Sequence, residues 1–309
     1  MTRITDPNPV SLLARLRHLG RTVYPNLPAN TMLLLYAQQG VLARLEQGFG
    51  EPEPRFVLKG ALSLFARYGN AARPTEDMDL AAQGLPNTPA EIEQAIRALC
   101  RVPFDDGLSF DPGSVRAVPI NQTLAYPGAA VRLRASLGKS KVDLQIDVSF
   151  GNVILPTPLP WVFPSLLLAQ AVHVYLYPLE TVITEKFAAL LEIGVATTRM
   201  KDLYDLEQIL SRESFAAELM CRVLEGSFAA RGTPRSAVAS TLGETFAASP
   251  ELNRRWTQYL NRTGFESPAF AAVMALLRAF YGPLLLGGRR EGRWQPAQHV
   301  WLDEAERTD

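Results

Sequence analysis

From Lys141 to Val148 the chain alternates without a break: Val142, Leu144, Ile146 and Val148 against Lys141, Asp143, Gln145 and Asp147. Successive side chains of a strand point to opposite faces, so this run predicts a strand with a fixed core side and an equally fixed acidic side. Residues 130–137 make a second strand, and Gly138-Lys139-Ser140-Lys141 between the two predicts an antiparallel hairpin. A sheet with one face buried and one face bearing carboxylates is the element the rest of the chain must accommodate.

Upstream, residues 55–58 read as a strand that enters Lys59-Gly60 and then a helix to about Tyr68, which Gly69-Asn70 stops. A further strand follows over 78–81. Thr88-Pro89-Ala90-Glu91 is a capping box with proline at the first helical position and starts a helix to about Cys100. Residues 115–120 form a weaker strand. Before all of these, residues 10–19, stopped near Gly20 and Pro25, and residues 31–47, capped by Asn30 or Thr31, read as two amphipathic helices.

Past Phe150 the pattern changes. Pro156, Pro158, Pro160 and Pro164 make a proline-rich linkage, and then helical periodicity follows over 178–193, 199–210, 213–230, 233–246, 251–260 and 268–281. The tail carrying Trp294 and Trp301 reads as irregular, its tryptophans packing back onto the body. At 309 residues, 47% hydrophobic, the chain is long enough for two domains. The expected division is an N-terminal helical segment over 1–50, an α/β core over 51–160 and an all-helical domain over 161–309.

Composition excludes several classes. The 31 basic and 31 acidic residues cancel, so overall charge announces no nucleic-acid partner, although a local basic patch remains compatible. Cys100 and Cys221 lie far apart in apolar helical patterns and read as core thiols, while His18, His173 and His299 share no metal-ligand spacing. The N-terminus lacks a basic-then-apolar signal, and no apolar run suits a membrane span. A cytoplasmic protein is the expectation.

The chemistry concentrates in Arg73-Pro74-Thr75-Glu76-Asp77-Met78-Asp79-Leu80. On a strand, Met78 and Leu80 enter the core while Asp77 and Asp79 share the other face. Two carboxylates so close repel unless a cation intervenes, and hard oxygen ligands suit magnesium. Asp147 or Asp143 completes a three-carboxylate set if the two strands are neighbours. Lys59-Gly60 at a strand-to-helix turn fits a phosphate site, since glycine permits close approach and helix N-terminal amides attract anions. Ser63 is a candidate phosphate donor there. Farther on, Lys186 lies on an apolar helix stripe that would bury its stem, and Asp202 and Asp205 share a helix face from which they could hold its ammonium.

In order, Leu58-Lys59-Gly60-Ala61-Leu62-Ser63-Leu64, the Arg73 to Leu80 segment, Asp143 through Phe150-Gly151, and the helical segments 180–190 and 199–206 resemble the AbiEii/AbiGii nucleotidyltransferase toxins. These are a branch of the DNA-polymerase-beta-like superfamily that includes mycobacterial tRNA-modifying toxins. The resemblance implies a bilobed protein, a mixed-sheet nucleotidyltransferase core with a C-terminal helical domain. It implies Asp77 and Asp79 as metal ligands, with Asp147 preferred to Asp143 as the third. Lys186 falls on the nucleotide-contacting lysine and Asp202 on the aspartate of the last motif. Lys59, Gly60, Ser63, Arg73 and Asp205 join Lys186 in nucleotide binding. Ala61 stands where family members often have a second glycine.

The implied reaction is Mg²⁺-dependent transfer of a nucleotide, often a pyrimidine, from an NTP to the 3′ end of tRNA, with a cognate antitoxin as partner. Arg231, Arg235, Arg254, Arg255, Arg278, Arg289 and Arg290 are candidates for an acceptor-stem surface. Transfer to a protein or small molecule, and a catalytically degenerate binding module, are the alternatives.

Overall fold

The computed structural model describes residues 8–25, 27, 31–49, 55–85, 88–120, 128–168 and 170–303. The chain divides into two compact units, Met1–Asn152 with Pro158–Tyr177, and Val153–Thr157 with Pro178–Asp309.

The first unit opens with helices α1 (Pro9–Thr22) and α2 (Thr31–Phe49). Asn8 caps α1 by accepting from the Val10 amide. The helix continues through Gly20 instead of stopping there, because a Cβ at Gly20 would lie 2.8 Å from Met32 Cγ: the bare glycine lets α2 approach. Asn30, one of the two candidate caps of α2, lies outside the described residues; Thr31 is the first residue of the helix.

α2 is a buried strut. Its Leu35, Tyr36, Val41 and Leu42 are core residues, and its buried Gln38, Gln39 and Arg44 side chains each find a partner, although the Gln38 Oε1 accepts no bond among the described residues. Gln38 donates to the Glu76 carbonyl, Gln39 bonds Pro164 and Leu166, and Arg44 grips Asp106 at 2.6 Å. Buried polar groups are tolerable only with such partners.

Strand β1 (Phe56–Lys59) runs directly into α3 (Gly60–Tyr68), followed by β2 (Asp77–Ala82) and α4 (Pro89–Leu99). Thr88 caps α4 by accepting from the Glu91 amide, and its hydroxyl donates to the Glu91 carboxylate. Next come β3 (Leu108–Ile120), β4 (Gly128–Leu137), β5 (Ser140–Ser149), β6 (Leu159–Phe163) and β7 (Val172–Leu176). They join in one seven-stranded mixed sheet of order β3-β4-β5-β2-β1-β7-β6. The β4–β5 hairpin turns through Gly138 at φ 59°. Crossover places β5 beside β2, in parallel, so the two acidic strands of the sequence are neighbours.

Two strands depart from the sequence reading: β6 and β7 lie in the proline-rich linkage and in the start of the region it assigned to the all-helical domain. β6 carries Pro160 and leaves Leu159, Trp161 and Val162 exposed at the sheet's edge, so it lacks the clean alternation that marks β5. Proline is tolerated on such edges. β3 is also longer than expected, because a bulge between Asp111 and Arg116 interrupts its pattern.

The second unit contains α5 (Leu179–Ile193), α6 (Met200–Leu210), α7 (Ala217–Arg231), α8 (Ala237–Thr241), α9 (Glu244–Ala247), α10 (Pro250–Thr263) and α11 (Phe270–Leu285), then a small ribbon of β8 (Arg293–Gln295) and β9 (Val300–Leu302). The stretch read as one helix over 233–246 is split between α8 and α9 at Gly243, where an added Cβ would lie 3.1 Å from the Ser240 carbonyl oxygen. Phe187 stacks on Tyr281 at 3.8 Å, and the Tyr281 hydroxyl donates to the Ile183 carbonyl. The ribbon replaces the expected irregular tail, and its tryptophans pack inward as expected. Trp294 donates to the Leu210 carbonyl and Trp301 to that of Phe280. Cys100 and Cys221 are free. No described helix is long and apolar enough to cross a membrane.

Candidate active site

In β2 the burial alternates as the sequence requires: Met78 and Leu80 are buried while Asp77 and Asp79 are half-buried on the opposite face. Parallel pairing with β5 sets Asp79 directly beside Asp147 and Asp77 beside Gln145. Asp143 is two residues farther along β5, 71% exposed and bonded to Arg134 of β4. Asp147 is therefore the β5 carboxylate at the level of the β2 pair.

Asp147 holds its proton more tightly than an ordinary carboxyl. Burial is the main cause, and the charges of Asp79 and Asp77 add to it. An amide hydrogen bond from Gln145, at 3.2 Å, and the charge of Lys59 oppose the shift without cancelling it.

The turn after β1 closes one side of this face. Lys59 pairs with Asp79 across the β1–β2 ladder and sets its ammonium 6.0 Å from the centre of the Tyr177 ring. Gly60 has φ 62°, and a Cβ built there would fall 2.0 Å from Asp79 Oδ2. Glycine is thus required twice, for its left-handed backbone and for the room it leaves the Asp79 carboxylate. No side chain caps α3, so its first amides face outward from the helix without a side-chain acceptor at Lys59. The Ser63 hydroxyl, in contrast, is fully buried and donates to the Gly60 carbonyl at 2.8 Å. In this arrangement the hydroxyl braces the turn. Arg73 is half-buried in the approach to β2, and α2 steadies that approach through Gln38.

Among the described residues, no three acidic, histidine or cysteine side chains already gather at metal-ligand spacing. What Asp77, Asp79 and Asp147 share is a face and a register. Their hard oxygens, and the proton affinity that burial first and the Asp79 and Asp77 charges second raise at Asp147, are the chemistry a divalent cation such as magnesium suits. A cavity of about 790 Å³ opens on the reverse side of the sheet, where Leu58 and Leu80 point, with Phe56, Trp161 and Val174 among its walls. It is apolar and apart from the carboxylates.

In the helical unit a second set of charged groups converges. Lys186 of α5 lies 2.6 Å from Asp202 and 2.8 Å from Asp205 of α6, all three nearly buried. Arg199 pairs with the other oxygen of Asp202. Burial penalises the Asp202 anion, but Lys186 and Arg199 outweigh it and bring its pKa down to about 2. The Asp202–Asp205 spacing foreseen in sequence thus holds Lys186 in place.

The arginines nominated for an acceptor surface are mostly engaged. Arg231 pairs with Glu192, Arg255 with Glu251, Arg278 with Glu244, Arg289 with Asp303 and Arg290 with Glu225. The sequence reading passed over Arg116 and Arg132, exposed on the polar face of β3 and β4; the signal for them was the same period-two alternation that exposed Asp147.

Two crystal structures from Helicobacter pylori are similar to this chain. JHP933 is 15% identical, with 85% of this chain and 96% of that one covered and a TM-score of 0.46. A protein described as a candidate nucleotidyltransferase is 14% identical, with 82% and 96% covered and a TM-score of 0.43. No curated protein matches. The family described as "Nucleotidyl transferase AbiEii toxin, Type IV TA system" matches residues 43–278. Because that match takes in both acidic strands, the Lys59-Gly60 turn and the Lys186 helix, and well over half of the sequence, the chain belongs to the AbiEii nucleotidyltransferase toxin family.

Proposed function

We propose that this toxin transfers a nucleoside monophosphate, preferentially a pyrimidine, from an NTP to the 3′ end of tRNA and so blocks translation, as the mycobacterial tRNA-modifying toxins of its family do. The observation that carries the nucleotidyl-transfer site is the alignment of Asp79 with Asp147 beside Asp77, against the Lys59-Gly60 turn. In the reaction the acceptor 3′ oxygen bonds to the α-phosphorus, the bond from that phosphorus to the bridging oxygen breaks, and pyrophosphate leaves.

Asp77, Asp79 and Asp147 would hold Mg²⁺, which when bound would polarise the α-phosphate and lower the pKa of the acceptor hydroxyl. The protein's own groups position and neutralise. The amides following Gly60 receive phosphate oxygens at the start of α3, and Lys59 and Arg73 add positive charge. Lys186 is assigned to the negative charge of the nucleotide's phosphates, with Asp202 and Asp205 positioning its ammonium. A cognate antitoxin is the expected protein partner, and the cytoplasm the expected compartment.

Incubation with each labelled NTP and total tRNA tests this reading. Label should appear on tRNA, most strongly with one pyrimidine nucleotide, and be absent with a folded Asp77→Ala variant. Label on protein alone, or full transfer by Asp77→Ala, would overturn it.

A further inference from the structure

The polar face that carries the carboxylates continues past them across three more strands. Register places Asp77 of β2 beside Gln145 of β5, Gln145 beside Arg132 of β4, and Arg132 beside Arg116 of β3. These four residues form one row perpendicular to the strands, on one face. With neighbouring strands about 4.8 Å apart, Arg132 stands about 10 Å from Asp77 and Arg116 about 14 Å.

Both arginines are exposed. The neighbouring acids bond another partner: Asp143 pairs with Arg134 at 2.8 Å and reaches Arg132 only by its charge, and Asp111 adds its charge to the Arg134 guanidinium. Arg116 gives one nitrogen to the carbonyls of Gly113 and Val115, which fixes its direction without neutralising it. Arg132 forms no hydrogen bond or ion pair among the described residues. A chain of zero net charge therefore carries two exposed guanidinium groups in line with its acidic site, neither of them in an ion pair among the described residues. Planar guanidinium groups on an open polar sheet suit phosphodiester oxygens.

We propose that Arg132 and Arg116 bind backbone phosphates of the acceptor RNA strand and lead its 3′ end along the row to Asp77 and Asp79. The proposal rests on the nucleotidyl-transfer reading of those aspartates for its direction. The row makes contacts that set position without reading sequence. The seven arginines suggested by sequence lie in the other unit, and five of them already have carboxylate partners.

The test uses the full chain, wild type and Arg132→Glu/Arg116→Glu, with folding checked by circular dichroism. Binding of a fluorescein-labelled single-stranded RNA 3′ end is followed by anisotropy over a salt series, and KM is measured separately for NTP and for tRNA. The charge reversals should weaken RNA binding about tenfold or more and flatten the log–log salt slope by about 1.4 for two lost phosphate contacts. KM for tRNA should rise in parallel while KM for NTP stays within about twofold. Arg132→Lys should keep most of the binding, because the point charge survives. Unchanged RNA affinity and salt slope would overturn the proposal. A raised KM for NTP with unchanged RNA binding would also overturn it, since the row would then serve the triphosphate. If wild type binds RNA through this row but transfers no nucleotide to it, the phosphate row stands and the reaction assigned above falls.

Discussion

The protein holds two groups of aspartates whose surroundings treat them oppositely. On the sheet, Asp77, Asp79 and Asp147 face one another as like charges, and Asp147 clings to its proton. In the helical unit, Asp202 and Asp205 close on Lys186 and Arg199, and Asp202 gives up its proton down to about pH 2. The same residue type is thus left in conflict in one place and satisfied in the other. The helical group is balanced by its own ion pairs. The sheet group has only the charge of Lys59 set against it, surroundings that a divalent cation of the kind proposed above would suit.

The largest expected difference lies in activity. Asp77→Ala should reduce nucleotide transfer by about three orders of magnitude or more, because it removes a ligand from the group that orients the reacting phosphate. Its thermal midpoint should change little, since a half-buried carboxylate among like charges is not a stabilising contact. A folded variant with near-normal turnover would erase the contrast between the two groups.

Asp202→Ala should act the other way, on stability first. It leaves the Lys186 ammonium with one carboxylate and Arg199 without its ion pair, at a cost of about 2–3 kcal/mol in urea unfolding. The pH dependence has a definite sign. A carboxylate whose folded pKa is depressed contributes stability above its ordinary value near 4, and that contribution is lost as pH falls toward 2. The loss should approach about 2 kcal/mol and be absent from Asp202→Asn. Wild-type and Asp202→Asn unfolding curves that fall in parallel between pH 4 and pH 2 would show that the helical group is not compensated as described.

Gly60→Ala is a smaller perturbation aimed at the joint between backbone and carboxylate. Alanine at φ 62° costs about 1 kcal/mol, and its methyl would displace Asp79. Transfer should drop about 10- to 100-fold with a modest decrease in thermal midpoint. Normal kinetics would mean that Asp79 does not need its place against the turn.

Much of this site was legible because strands write their faces into sequence. Alternation alone separates Asp147 from Val148 and Ile146, and Asp77 from Met78, so the acidic face could be read before any coordinates. Asp202 and Asp205 were readable for the corresponding helical reason. What alternation does not encode is which strands are neighbours. The distinction between Asp147 and Asp143 arises from a crossover that puts β5 beside β2 and from Arg134 opposite Asp143. β6 was hidden by prolines and by a ragged, edge-exposed pattern, whereas the short β7, with Val172, Val174 and Leu176 alternating inward, was passed over. The bond from the Ser63 hydroxyl back to the Gly60 carbonyl likewise depends on burial that a local sequence window does not show. The row from Asp77 to Arg116 needed four strands in register, information that no local window contains.

The finest test of the contrast is Asp147→Asn. If the sheet aspartates repel, deleting one charge should stabilise the protein in metal-free buffer even as it impairs transfer, the reverse of Asp202→Ala. Asparagine retains an oxygen for the Gln145 amide, so the substitution removes charge and keeps that hydrogen bond. The sign follows from linkage: the raised folded pKa of Asp147 means that the ionised form is disfavoured by folding, so its removal at neutral pH relieves a cost. Solvent screening at a half-exposed position limits the gain to about 1–2 °C in thermal midpoint. Titration with Mg²⁺ then sharpens the result. Wild type should gain midpoint as the cation is added, and Asp147→Asn should start higher and gain less. A variant that melts below wild type in chelator, yet responds equally to Mg²⁺, would mean that Asp147 belongs with the compensated aspartates of the helical unit, leaving Asp77 and Asp79 to act without it.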